Sequence, residues 1–103
     1  MTMRTTGDWL SSAIRAFIAI LDRCLNETTF AEDRRLYASD LAVATAWLIR
    51  LDSGEASDAI AADILAPATA KQFTDYWRQG AWGDLESSAL DTLQNTIRSQ
   101  LDS

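Results

Sequence analysis

The sequence predicts an all-α fold, a single compact bundle of four to five helices in one domain that covers residues 1–103. Three observations support this prediction. Apolar residues recur every three or four positions along most of the chain, which is the spacing of one helix face. No segment shows the apolar and polar alternation of a half-buried strand. The glycines and the single proline fall mainly between the periodic segments, where they separate neighbouring helices.

The first predicted helix runs from Trp9 to Leu25, and its apolar side chains share one half of the helical wheel. Thr6 or Asp8 is expected to cap its start, because either side chain can accept a bond from a free backbone N–H. Cys24 falls inside the apolar arc, so we expect a small buried residue there.

The second predicted helix starts at a capping box formed by Thr29 and Glu32 and runs to about Leu51. Gly54 is expected to end it in the left-handed conformation. Its broad apolar arc predicts that this helix is the central one, in contact with most of the others. The arc holds Phe30, Leu36, Tyr37, Leu41, Val43, Ala44, Trp47, Leu48 and Leu51.

Three further segments complete the predicted bundle. A helix from about Glu55 to Leu65 is followed by one from Pro67 to Gln79, since proline suits the first turn of a helix. A tight connection at residues 80–83 then leads to a last helix, which Asp84 is expected to cap. The residues predicted to be buried are Ile60, Ala61, Ile64, Leu65, Phe73, Tyr76, Trp77, Leu85, Ala89, Leu90, Leu93, Ile97 and Leu101.

The chain contains no histidine, one cysteine and one lysine, and this composition argues against an enzyme. Acid and base catalysis near neutral pH most often uses histidine, and zinc sites need several cysteine or histidine ligands. We therefore expect no catalytic residue, no metal and no cofactor. The remaining enzyme alternative is a carboxylate-only site around Asp33 and Asp40, which lie on one side of the second predicted helix.

Asp40 is the residue most at odds with its surroundings, because it falls inside the apolar arc of the second helix. A buried carboxylate is costly unless it is paired. Either an arginine from another helix meets Asp40, or this strip of the helix is exposed at an interface.

The net charge of −6 lies mainly in the second half of the chain, where residues 54–103 hold eight acidic and three basic side chains. Such a field repels nucleic acid and anionic lipid and favours a basic protein partner. The first helix is interrupted by charged residues, so neither a signal peptide nor a membrane span is expected. The lone cysteine gives no indication of an oxidising compartment, and the predicted location is cytoplasmic.

The predicted partner-binding residues combine this acidity with an aromatic segment near the fourth helix. Tryptophan is enriched at the centres of interfaces, although Trp82 could instead fold back as a structural staple after a helix end at Gly80. The predicted set is Glu55, Asp58, Asp63, Trp82, Asp84, Glu86 and Asp91.

These observations predict a non-enzymatic protein-binding module. The specific expectation is a small acidic intracellular inhibitor, of the immunity-protein, antitoxin or anti-defence type, that binds and occludes a basic protein. The alternative is a homo-oligomeric structural or regulatory protein, in which the Asp40 strip and the apolar arc of the second helix form a symmetric interface.

Overall fold

The computed structural model describes residues 6–69 and 80–101, with side chains for residues 9–69 and 85–101. It confirms the all-α bundle. The described helices are α1 (Thr6–Glu27), α2 (Ala31–Asp52), α3 (Ser57–Leu65) and α4 (Gly80–Leu101). Residues 67–69 form a helical turn, as expected for a helix that begins at Pro67. The rest of that predicted helix, including Phe73, Tyr76 and Trp77, lies outside the described residues.

The core is built from one face of each helix. On α1 the buried residues follow the helical spacing closely, and Phe17 stacks on Trp47 of α2 with ring centroids 6.3 Å apart. Cys24 is fully buried, as predicted. The core cluster comprises Leu10, Ile14, Phe17, Leu21, Ala44, Trp47, Ile60, Ala61, Ile64, Ala89, Leu90, Leu93 and Ile97.

Among the described helices the central one is α1, so the prediction that α2 occupies this position is wrong, although α2 packs against two of the other three. α1 packs extensively against both α2 and α4 and also contacts α3. The breadth of an apolar arc indicates how much of a helix is hydrophobic, but it does not indicate which elements cover it. Part of the α2 arc is in fact exposed, since Phe30 keeps 65% of its surface in water. Leu101, predicted to be buried in α4, is likewise 51% exposed.

Three predicted helix starts differ from the structure. Asp8 lies inside α1. Phe30 occupies the N-cap of α2 and makes no side-chain capping bond, so the Thr29–Glu32 capping box does not form. Residues 80–83, predicted to form a tight connection, are helical and belong to α4, so Asp84 lies inside this helix. Glycine costs a helix only about 1 kcal/mol relative to alanine, so Gly80 and Gly83 are tolerated in α4.

Helix α2 ends as the sequence predicts, with Gly54 just beyond its last residue. Gly54 has a φ of +93°, which is the left-handed conformation that glycine adopts without strain. Its N–H donates to the carbonyl of Leu51, and the N–H of Glu55 donates to the carbonyl of Arg50. This pair of bonds is the Schellman motif. It turns the chain sharply and brings the start of α3 back toward the last turn of α2.

Candidate protein-binding surface

The acidic residues around α3 are held by one arginine from α2. The Arg50 guanidinium donates from Nε to Oε2 of Glu55 at 2.8 Å and lies 2.8 Å from Oδ2 of Asp63. These bonds raise the pKa of Arg50, and the Arg50 bond lowers the pKa of Glu55 below its usual range. Arg50 therefore ties the loop before α3 and the body of α3 to the end of α2.

We define the acidic corner as Arg50, Asp52, Glu55, Asp58 and Asp63. One arginine against four carboxylates leaves this corner with a surplus of three negative charges. Glu55, Asp58 and Asp63 are exposed, as the sequence predicts, and Asp52 is exposed as well. The corner lies on the outer side of α3, because the opposite side of α3 buries Ile60, Ala61 and Ile64 in the core.

A buried hydrogen bond fixes α3 against α4. The side-chain amide Nε2 of Gln94 donates to the carbonyl of Ile64 at 3.1 Å, and Gln94 is 6% exposed. Asp91 precedes Gln94 by three positions, which places both on neighbouring parts of the same helix face. Asp91 is exposed. Asp58 and Asp63 of the acidic corner and Asp91 therefore lie on two helices that contact each other.

Glu86 is the clear correction among the predicted partner-binding residues. Its side chain is only 2% exposed, so it does not belong to the exposed acidic surface. Glu86 occupies the core face of α4 together with Leu90 and Leu93, at the three- and four-residue spacings of the buried stripe. The side chains of Trp82 and Asp84 lie outside the described residues, and their predicted role stays a prediction.

The two other carboxylates that the sequence singles out are also buried. Asp40 is 3% exposed and Asp33 is 8% exposed. Asp40 is therefore covered, and the alternative in which this strip of α2 is exposed at an interface is wrong. The homo-oligomer that was expected to use the rest of the α2 arc stays a prediction.

Cys24 and Glu86 connect α1 to α4 electrostatically. Burial, and to a lesser extent the nearby Glu86 carboxylate, raise the pKa of the Cys24 thiol from its ordinary value of 9.0 to about 11. Cys24 lies near the end of α1, and Glu86 lies near the start of α4. The proximity of the two residues shows that α1 and α4 run antiparallel.

We expect the protein to lose stability between pH 9 and pH 11 through Cys24. The unfolded chain releases the thiol proton near pH 9 and the folded chain only near pH 11, so rising pH favours unfolding in this window. The full effect is about 2–3 kcal/mol. Urea unfolding of the wild type and Cys24→Ala at pH 8 and pH 10.5 measures it, because the other titrating groups are common to both. Equal losses of stability in the two proteins would contradict this expectation.

An open groove of about 520 Å³ lies between α1 and α4. None of the described residues that line it is charged, and most of them are small. The α1 side consists of Trp9, Ser12, Ala13, Ala16, Phe17 and Ile20. The α4 side consists of Leu85, Ser88, Ala89, Thr92, Leu93 and Thr96. We call this feature the α1–α4 groove.

No protein-family model, no curated protein and no solved structure matches this chain.

Two further properties bear on the kind of site this surface forms. Within residues 6–69 and 80–101, no three histidine, cysteine, aspartate or glutamate side chains come together as metal ligands. None of the described helices combines the length and the apolar character needed to cross a bilayer. The described surface thus offers exposed carboxylates on α3 and α4 and, between α1 and α4, a groove without charged residues in its described lining.

Sequence reasoning missed both Arg50 and the α1–α4 groove. Arg50 and Glu55 are five residues apart across a left-handed turn, which matches no helical pairing rule. The groove is lined by serine, alanine and threonine from helices at opposite ends of the chain. Such residues give no strong periodic pattern in a sequence.

Proposed function

We propose that this chain is a non-enzymatic, cytoplasmic protein-binding module: an acidic inhibitor, of the immunity-protein, antitoxin or anti-defence type, that binds and occludes a basic protein. The observation that supports this proposal is the exposed acidic surface made by the acidic corner and Asp91. Its carboxylates lie at the end of α2 (Asp52), in the loop before α3 (Glu55), on α3 (Asp58 and Asp63) and on α4 (Asp91), and all of them are exposed.

Folding alone does not account for this surplus of charge. Asp58 lies in the first turn of α3, where a carboxylate interacts favourably with the helix dipole. Glu55 and Asp63 share the single arginine. Asp52 lies in the last turn of α2, where the dipole disfavours a negative charge, and Asp91 lies in the middle of α4. Asp52 and Asp91 therefore add to the negative electrostatic potential of the surface, and their positions in the helices give them no favourable interaction with a helix dipole.

A surface of this kind acts mainly on the rate of association. Opposite charges on two proteins steer their encounter and raise the association rate constant, and added salt weakens the effect. Arg50 contributes by fixing Glu55 and Asp63 in place before binding. Less side-chain freedom is then lost when a partner's basic groups arrive.

The test compares two charge reversals of equal size in different places. Asp58→Lys with Asp91→Lys changes the proposed surface, and Asp22→Lys with Glu32→Lys changes exposed carboxylates on α1 and α2. A partner is captured from native cells with the tagged wild type at low salt, purified, and mixed with each protein in stopped-flow measurements over a range of salt.

We expect the Asp58/Asp91 reversal to slow association by about tenfold or more at low salt and to flatten its salt dependence. The Asp22/Glu32 reversal should have a clearly smaller effect, although the net charge changes equally. If both reversals slow association to the same extent, the net charge rather than this surface attracts the partner, and the proposal fails. It also fails if neither reversal alters the rate.

A further inference from the structure

One side of α2 faces solvent along its whole length. The buried residues of this helix are Asp33, Tyr37, Asp40, Ala44 and Trp47. The residues on the opposite side are all exposed, and we call them the α2 outer face: Ala31, Arg35, Ala38, Ser39, Ala42, Ala46 and Ile49. Among the described helices, α2 packs against α1 and α3 through its other sides. No described element therefore covers the α2 outer face.

The middle of the α2 outer face lacks the charges of an ordinary solvated helix. Between Arg35 and Arg50 the one charged residue of α2 is Asp40, and it is 3% exposed. Residues 36–49 span about 21 Å, or nearly four turns. Ile49, at the end of this span, keeps 61% of its surface in water. Small exposed side chains leave room for the backbone of a second helix, and such a contact removes Ile49 from water.

The charges at the two ends of α2 have opposite net sign. At the start, Glu32, Arg34 and Arg35 are exposed, and two arginines against one glutamate leave a net charge of +1. The end carries the acidic corner, with its surplus of three negative charges. Within the described part of the chain, Arg34, Arg35 and Asp52 form no ion pair, and Arg34 reaches only the carbonyl of Thr28, at 3.5 Å. Both ends therefore offer charges that a second chain can pair.

The described charges of α1 do not change this balance. Arg15 and Asp22 border α2 in a shallow groove between the two helices, and their charges cancel. Arg23 and Glu27 each lie seven positions after a residue that lines the α1–α4 groove, so both are on the side of α1 toward α4. The start of α2 thus stays net positive and its end net negative.

The charges also lie in a self-complementary order. Glu32 and Arg50 are eighteen residues, or five turns, apart and lie on one edge of the α2 outer face. Arg34 and Asp52 are also five turns apart and lie on the other edge. Ala42 is midway in both pairs. A two-fold axis through Ala42 that sets two α2 helices antiparallel therefore brings Arg34 of each copy to Asp52 of the other.

The acidic corner determines the direction of the pairing. Parallel helices would place the two acidic corners side by side, where their surplus negative charges repel. Antiparallel helices place each acidic corner beside the net positive start of the other α2, and they also set the two helix dipoles in opposite directions. On the second edge Glu32 meets Arg50, whose guanidinium is already shared by Glu55 and Asp63, so this edge contributes little.

We infer that the α2 outer face binds a second copy of this chain: two α2 helices pack antiparallel about Ala42, with Arg34 of each copy paired to Asp52 of the other. This inference goes beyond the proposed function and does not rest on it. It also uses the side of α2 opposite the predicted apolar arc. A contact about 21 Å long and one helix wide is small, so we expect a reversible dimer with a Kd of about 1–100 µM.

Sedimentation velocity of the full chain, from about 1 to 500 µM, tests the dimer, and two matched variants locate it. Ala42→Glu places two carboxylates against each other at the two-fold axis. Ala16→Glu makes the same change at an exposed position of α1 in the α1–α4 groove. We expect Ala42→Glu to raise the dimer Kd by about tenfold or more and Ala16→Glu to leave it unchanged. Circular dichroism checks that both variants keep their helices.

A charge exchange tests the antiparallel order. Arg34→Glu sets a glutamate against Asp52 of the other copy, and Asp52→Arg sets an arginine against Arg34. Each single variant should raise the dimer Kd by about threefold or more at low salt. The double variant restores opposite charges at both ends, so its Kd should return to within about twofold of the wild type. Parallel helices would give no such recovery, because they do not bring these two positions together.

Three results would overturn the inference. A wild type that stays monomeric at about 500 µM shows that the α2 outer face does not bind a second copy. A dimer that Ala16→Glu dissociates and Ala42→Glu does not is assigned to the α1–α4 groove instead. A double variant that dimerises no better than the single variants refutes the pairing of Arg34 with Asp52. The proposed function is judged separately, because Asp58 and Asp91, whose reversal tests it, are not paired in this dimer.

Discussion

Replacing Phe17 with alanine is expected to lower the free energy of unfolding by about 3–5 kcal/mol. Phe17 is 2% exposed at the centre of α1, where it stacks on Trp47 and closes the floor of the α1–α4 groove. The substitution removes the transfer free energy of a phenyl ring and leaves a cavity between α1 and α2. Domains of this size are stable by about 5–15 kcal/mol in total, so the loss is a large fraction. Urea unfolding followed by circular dichroism measures it.

Phe30→Ala is the matched control, because it removes the same ring from a position that is 65% exposed. We expect it to change the free energy of unfolding by less than about 0.5 kcal/mol. The sequence places both rings in apolar arcs, whereas the structure buries only the ring of Phe17. Comparing the two variants therefore tests the structure against the sequence pattern. Similar losses in the two variants would contradict the described position of Phe30.

Replacing Glu86 with lysine is expected to destabilise the fold by about 3 kcal/mol or more. Glu86 is 2% exposed on the core face of α4, and its carboxylate is close enough to Cys24 to raise the pKa of the thiol. The lysine would have to bury an amine at this site, or it would displace the helix to reach water. Thermal and urea unfolding of the purified variant measure the loss.

Ser87→Lys is the control for this second prediction, since it adds the same side chain at the next, exposed position of α4. It should stay within about 0.5 kcal/mol of the wild type. Glu86→Gln keeps the shape of the side chain and removes its charge, so it reports separately on the electrostatic contribution. If Glu86→Lys is as stable as Ser87→Lys, Glu86 is a surface residue, and the prediction that it binds a partner stands again.

The helical pattern predicts which residues are buried more reliably than it predicts which helices contact each other. Leu10, Ile14 and Ile97 follow from periodicity alone, because a buried helix face requires their spacing. The left-handed turn at Gly54 also follows from the sequence, since few residues other than glycine adopt a positive φ. The central place of α1 does not follow, because periodicity within one helix carries no information about the neighbouring helices.

The candidate surface could be predicted only in part for a related reason. Exposed acids near helix starts, such as Asp58, are recognisable from sequence. Glu86 is misread because a carboxylate near a helix start is usually solvated, and its burial depends on how α4 packs against α1. The α1–α4 groove depends on two helices that lie at opposite ends of the chain. Only the tertiary structure brings Ala16 and Ser88 to the same opening.

The pairing of α1 with α4 has a consequence for how the chain is made. More than 50 residues separate Glu27 at the end of α1 from Gly80 at the start of α4. During translation, α1 and α2 emerge from the ribosome well before α4 exists, so the side of α1 that α4 will cover stays open to water and to other chains. The core is therefore completed only once α4 has been made, and until then the nascent chain exposes the apolar face of α1 that α4 later covers.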